Sequence, residues 1–87
     1  MKEYKTHHLK TWPVYFSAVV SKRKKVEIRK NDRGFLVGDF LALEEFDPDN
    51  NFYTGDSIMV RVTHILREEP FVPKGYVCMS IKHTKVR

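Results

Sequence analysis

Most of this chain alternates hydrophobic and polar residues at the period of two expected for half-buried strands, and one early stretch follows a helical period instead. Thr6 to Lys10 is short and β-compatible, a first strand. Trp12, Phe16, Val19 and Val20 fall at i, i+4, i+7 and i+8, which is one helical face, and Pro13 suits a first helical turn. The spacing predicts a helix from about Pro13 to Ser21, with that aromatic and aliphatic face in the core. Lys25 to Lys30 reads as a second strand on which Val26 and Ile28 point into the core, while Glu27 and Arg29 share the other face. Asn31-Asp32-Arg33-Gly34 is turn chemistry, and Gly38-Asp39 marks a turn before a third strand, about Phe40 to Phe46. Asp47-Pro48-Asp49-Asn50-Asn51 is a loop, and Phe52 to Asp56 leads into a fourth strand, about Ser57 to Leu66, with Ile58, Val60 and Val62 on one face. Arg67 to Gly75 holds Pro70 and Pro73 and reads as a loop. Tyr76 to Lys82 is a last strand with Val77, Met79 and Ile81 inward, and the basic tail from His83 to Arg87 is expected to fray. One helix and about five short strands predict a mainly β (α+β) fold, a small barrel, in one domain spanning residues 1–87.

Charge changes this picture more than composition does. The chain carries +5 at neutral pH, and the twelve residues from Lys22 to Arg33 alone carry +5, from seven Lys/Arg against Glu27 and Asp32. From Asp39 to Asp56 the sequence has six acids and no base, so the molecule is expected to have a basic side and an acidic side. The basic side favours a polyanion, with nucleic acid ahead of a membrane surface. The single cysteine, Cys78, excludes an internal disulfide and a Cys-based metal site, reads as a core thiol, and fits a reducing cytoplasm. Met1 to Lys5 leads into no apolar segment of a signal peptide, and no apolar run approaches the length of a membrane span.

Lys24-x-x-Glu27-x-Arg29, placed just after a short helix and followed by Val37-Gly38-Asp39 and a hydrophobic strand, resembles the signature Gly-x-Lys-x-x-Glu-x-Arg of the ASCH domain superfamily. The resemblance extends to His7-x-Leu9-Lys10, Tyr15-Phe16, the run from Val26 to Arg33 and Tyr53-Thr54-Gly55. These look like a small bacterial and phage family of unknown function within that superfamily (DUF3850-like). The resemblance implies a PUA-like β-barrel and a cleft between helix and barrel lined by Lys24, Glu27 and Arg29. It also implies RNA or nucleotide binding, since that is what the superfamily is thought to do. Some members are amidohydrolases that remove an acyl group from a modified cytidine. Two departures stand out here. The signature glycine is Lys22, and the hydrolases place a threonine where this chain has Glu27 and draw a further carboxylate from a helical insert before the last strand. Arg67 to Gly75 is short and proline-rich for such a helix.

The candidate nucleic-acid contacts are Lys24, Lys25, Glu27, Arg29, Lys30, Arg33, His7 and Lys10. Arg29 suits a phosphate or base edge, and Glu27 can accept a base N–H or serve only as a structural ion-pair partner. The other cations need only charge and reach to contact phosphate, or form a plain solvated face. Strict alternation puts Lys25 on the face of Glu27, whereas the superfamily pattern needs Lys24 in the turn before the strand; the sequence leaves both open. Trp12, Tyr15, Phe35, Tyr53, Phe71 and Tyr76 include stacking candidates, of which one or two are expected to be exposed. His7, His8, His64 and His83 have no metal-ligand spacing, and no cofactor motif, P-loop or Ser-His-Asp order is present. The sequence therefore favours an RNA- or nucleotide-binding domain. Its alternatives are an amidohydrolase with Lys24 as base or nucleophile and Glu27 as proton relay, and a protein-interaction module using the acidic face.

Overall fold

The computed structural model describes residues 3–84. The elements run β1 (Thr6–Thr11), α1 (Pro13–Val20), β2 (Val26–Lys30), β3 (Phe40–Asp47), β4 (Phe52–Leu66) and β5 (Tyr76–His83). The strands form one sheet in the order β1-β3-β4-β5-β2, parallel between β1 and β3 and antiparallel elsewhere. A parallel pair cannot be joined by a hairpin, so the chain crosses through α1 and β2 between those two strands. The sheet curls into a half-barrel with β1 and β2 as its two end strands. The mainly β architecture with one short early helix is the one the alternation predicts.

Leu9, Leu41, Leu43, Val60, Val62, Val77, Met79 and Ile81 line the concave face with Val19 and Phe35, and Ile58 packs against them. Val60 and Val62, and Val77, Met79 and Ile81, are inward as the period-two pattern requires. β4 is longer than its sequence pattern, beginning at Phe52, because Phe52 and Tyr53 already pair with Asp47 and Phe46 across the turn. The loop from Arg67 to Gly75 is held by the buried Val72. His83 belongs to β5, and its Nε2 lies 2.7 Å from the Val19 carbonyl, tying the end of the helix to the sheet. The rest of the expected frayed tail from residue 85 onward lies outside the described residues.

Three expectations are corrected. Val26 and Ile28 are 38% and 55% exposed, whereas Glu27 is 3% exposed. The cause is register: Glu27 and Arg29 sit opposite Met79 and Val77, and residues paired across two strands share a face, so β2 turns its charged pair toward the core side. On α1, Phe16 and Val19 are buried but Trp12 and Val20 are exposed, because an eight-residue helix has only about two turns to bury. Cys78 is half-buried on the outward face, opposite Ile28, rather than in the core.

The turn before β3 has a demanding geometry. Gly38 has φ +100° and the Tyr4 ring packs where a side chain would stand, so both the backbone and the space require glycine. The next residue, Asp39, is buried and accepts from His7 Nε2 at 2.8 Å, the Leu36 N–H at 3.0 Å and the Lys5 N–H at 3.2 Å. His7 also packs edge-on against Phe35, with ring centroids 4.7 Å apart. This carboxylate therefore pins β1 to the entry of β3. Burial pushes the Asp39 carboxyl up, but the His7 hydrogen bond, the Lys5 and Leu36 amides and the His7 charge outweigh it and hold it below the usual carboxylate range.

A lowered folded-state value has a definite sign. Asp39 contributes stability above its unfolded value of about 3.9, and the contribution is lost as pH falls through the lower folded-state value. Urea-unfolding midpoints followed from neutral pH downward should show this acid limb. Asp39→Asn should flatten it and cost roughly 1–3 kcal/mol at neutral pH. An acid limb of unchanged steepness in the variant would assign it to other groups.

Candidate functional site

The two end strands of the half-barrel face each other across a seam that arginines bridge. Arg29 Nη2 on β2 donates to the Lys10 carbonyl of β1 at 3.0 Å and to Thr11 Oγ1 at 3.4 Å. Four residues on, Arg33 Nη1 donates to the His8 carbonyl at 2.9 Å. Both carbonyls come from alternate residues of β1, the set that does not bond to β3, as the Phe40 N–H to Lys5 carbonyl bond shows.

Glu27 organises the upper part of this seam. Its Oε2 accepts from Lys24 Nζ at 2.7 Å and its Oε1 from Arg29 Nε at 3.0 Å. Lys24 Nζ also donates to the Val26 carbonyl. A carboxylate this buried needs such partners, since an unpaired charge removed from water is costly. The cations, by contrast, are about a quarter exposed, at 25% for Lys24 and 26% for Arg29, and so remain available to a ligand.

The turn out of α1 decides which lysine enters the site. The Lys22 N–H bonds the Val19 carbonyl and the Arg23 N–H bonds the Ala18 carbonyl, the paired bonds of a Schellman helix end. Lys22 itself has φ +67°, the left-handed conformation that glycine adopts most easily. The turn thus takes a glycine-like backbone shape with a lysine in it. Lys24, still in the turn, swings onto Glu27, while Lys25 projects to the far side with Lys22, Ile81, Lys82 and His83 around a separate groove of about 310 Å³.

A cleft of about 480 Å³ opens over the Glu27 cluster, lined by Lys10, Thr11, Trp12, Tyr15, Lys24, Val26, Glu27, Ile28 and Arg29. That volume is within the range of small-molecule sites. Trp12 and Tyr15 stand 52% and 49% exposed at its edge, their rings stacked with centroids 6.3 Å apart. Lys10 Nζ is held 4.4 Å from the Phe46 ring centroid.

Of the residues singled out from sequence, the structure brings Lys10, Lys24, Glu27 and Arg29 together. Lys25 and Lys30 do not line the cleft, and Arg33 is spent on the seam. His7 is buried against Asp39, away from it. Among the six stacking candidates only Phe35 is in the core, and Trp12 and Tyr15 are the two at the cleft. Thr11 was not foreseen, and its small hydroxyl on a β-compatible run carries no signal in sequence. Glu44, Glu45 and Asp56 border a separate recess with Tyr53 on β3 and β4, so an acidic surface lies apart from the basic one. Among the described residues, no group of three His, Cys, Asp or Glu could hold a metal ion, and no helix is long and apolar enough to cross a membrane.

Residues 6–81 match the family described as Domain of unknown function (DUF3850). The chain belongs to that family. Among proteins similar to this DUF3850 member is an uncharacterized 12.9 kDa protein in the GpA 3' region of Escherichia phage P2. The two are 34% identical over 61 residues, 70% of this chain. The matched segment spans 54% of the phage protein, about half its length.

Two substitutions test the local construction of the DUF3850 cleft. Lys22→Gly relieves the left-handed residue and should raise stability by about 0.5–1 kcal/mol, read as a higher urea midpoint with unchanged slope. Glu27→Gln leaves Lys24 and Arg29 without their shared anion. It should cost roughly 1–3 kcal/mol, less than a fully buried pair because water reaches both cations. A Glu27→Gln variant as stable as wild type would remove Glu27 as the organiser of the seam.

Proposed function

We propose that the cleft binds RNA or a nucleotide, with Trp12 and Tyr15 stacking on a base while Arg29, Lys24 and Lys10 meet phosphate. The observation that carries this reading is the exposed, stacked aromatic pair beside cations fixed by a buried carboxylate. Base–aromatic stacking and phosphate contact are the two main sources of affinity for single strands. The resemblance to the ASCH superfamily and its PUA-like fold supports the same reading. Glu27 is buried, with its oxygens turned to Lys24 and Arg29, so its part is to aim those two cations rather than to read a base itself. Arg29 Nη1 makes no hydrogen bond among the described residues and is the guanidinium nitrogen left for a ligand. Amide hydrolysis of an acylated nucleoside is the alternative. Against it, the segment before β5 is made of turns without a helix, so the further carboxylate of the hydrolases has no helical carrier here.

Trp12 is the single tryptophan, so its fluorescence reports the site directly. Titration with single-stranded oligouridylate should quench it, with an affinity that falls steeply as salt rises. Trp12→Ala should weaken binding by about 1–3 kcal/mol without unfolding the domain, since the side chain is exposed. Arg29→Lys should weaken it too, because the charge stays but the fork is lost. Fluorescence unchanged at saturating RNA, or an affinity flat across salt, would remove the proposal; turnover of an acylated cytidine would replace it with the hydrolase.

A further inference from the structure

The seam that shapes the cleft also exposes main chain, and the hydrogen-bond accounting of β2 singles out one residue. In an antiparallel pair only alternate residues bond to the partner strand. The Ile81 N–H to Lys25 carbonyl bond at 3.0 Å and the Asn31 N–H to Gly75 carbonyl bond at 2.8 Å fix which ones: the odd-numbered residues of β2 bond to β5. Val26, Ile28 and Lys30 therefore turn their N–H and C=O toward the seam. Two of those three carbonyls are already taken, that of Val26 by Lys24 Nζ and that of Lys30 by the Asp32 N–H at 2.9 Å. Ile28 alone keeps both its N–H and its C=O without a protein partner among the described residues, and Ile28 lines the cleft.

We infer that the main chain of Ile28 reads the edge of a nucleobase, its N–H donating to a ring nitrogen or carbonyl and its C=O accepting from an amino or imino N–H. The inference rests on the nucleotide-binding reading above and supplies what that reading lacks, a source of base recognition. Each nucleobase carries a donor and an acceptor side by side, which is what the two groups of one extended residue present. Stacking on Trp12 or Tyr15 is tolerant of base identity, so hydrogen bonds must supply any preference. An added peptide strand is the other natural partner for a free edge, but it needs a run of unpaired alternate residues. Here the neighbouring carbonyls on both sides of the seam are occupied, by Lys24 and the Asp32 amide on β2 and by Arg29 and Arg33 on β1. What remains as a complete donor–acceptor pair on β2 is that of Ile28.

The probes are AMP, GMP, CMP and UMP, with ribose 5-phosphate as the base-free control, titrated into the ¹⁵N-labelled protein. The Ile28 amide should shift on saturation with the preferred nucleotide and stay in place with ribose 5-phosphate, while Arg29 responds to both. Ile28→Pro removes the N–H without breaking a bond to β5, so an edge strand tolerates it. It should lose at least tenfold in affinity for the preferred nucleotide and bind the four nearly equally, with ribose 5-phosphate bound as before. Ile28→Ala, which keeps the amide but trims a side chain lining the cleft, should keep the wild-type order of preference among the four nucleotides even where overall affinity drops. An Ile28 amide unmoved by every bound nucleotide overturns the inference while sparing the binding proposal, and leaves strand addition as the remaining use of that edge. Should Ile28→Pro fail to fold, the wild-type amide shift still decides. If none of the four nucleotides binds wild type, the nucleotide-binding proposal falls and this inference with it.

Discussion

A five-stranded sheet that stops short of closure must deal with two exposed strand edges, and here one guanidinium does much of that work. Arg29 joins a carboxylate on its own strand to two oxygens on the opposite end strand. A lysine could not reproduce this, since its point charge lacks the planar fork that reaches three acceptors in different directions. Arg33 repeats the bridge at the His8 carbonyl. Because these links are made by side chains rather than backbone to backbone, they hold the two edges at a distance. That distance is the cleft. The opening, its cationic lining and the buried position of Glu27 are thus consequences of one choice, to bridge the seam with arginine instead of zipping it as a ladder.

Much of the fold was legible because period and turn chemistry are local. The inward sets on β4 and β5, the Asp47–Asn51 turn and the helix start at Pro13 all follow from neighbours in sequence. The phase of β2 was not legible. Alternation shows which residues share a face, but not which face meets the core, and Val26 and Ile28 carry the stronger apolar signal. The register with Met79 and Val77 settles it the other way, a tertiary contact between segments some fifty positions apart. The short helix misled for a related reason. Trp12 and Val20 fall on the stripe of Phe16 and Val19, but the sheet beneath covers only its middle.

The candidate site was legible in part. Lys24, Glu27 and Arg29 came from a spacing pattern, and the structure joins them in one hydrogen-bonded cluster. Which lysine enters could not be read, because it depends on the left-handed residue Lys22, and a lysine there gives no sign of the conformation a glycine would advertise. His7 was drawn toward the cleft by its place in the pattern. Its true partner is Asp39, thirty-two positions away, and that pairing secures β1 to β3 instead. Aromatic exposure was underestimated, since a curled sheet of this size has one concave face to fill and leaves rings such as Tyr53, Phe71 and Tyr76 on the other surfaces.

The lysines and arginines flanking β2 have a second physical effect. An edge bearing exposed Val26 and Ile28 is apolar surface that another copy of the chain can cover, even where no run of free backbone groups invites strand pairing. Lys22, Arg23, Lys25 and Lys30 make two such edges repel, so the cationic run acts as a gatekeeper against self-assembly. Its repulsion is screened by salt and cancelled by a bound polyanion. Raising the salt concentration, or neutralising those side chains, should therefore let the apolar edges of neighbouring copies meet.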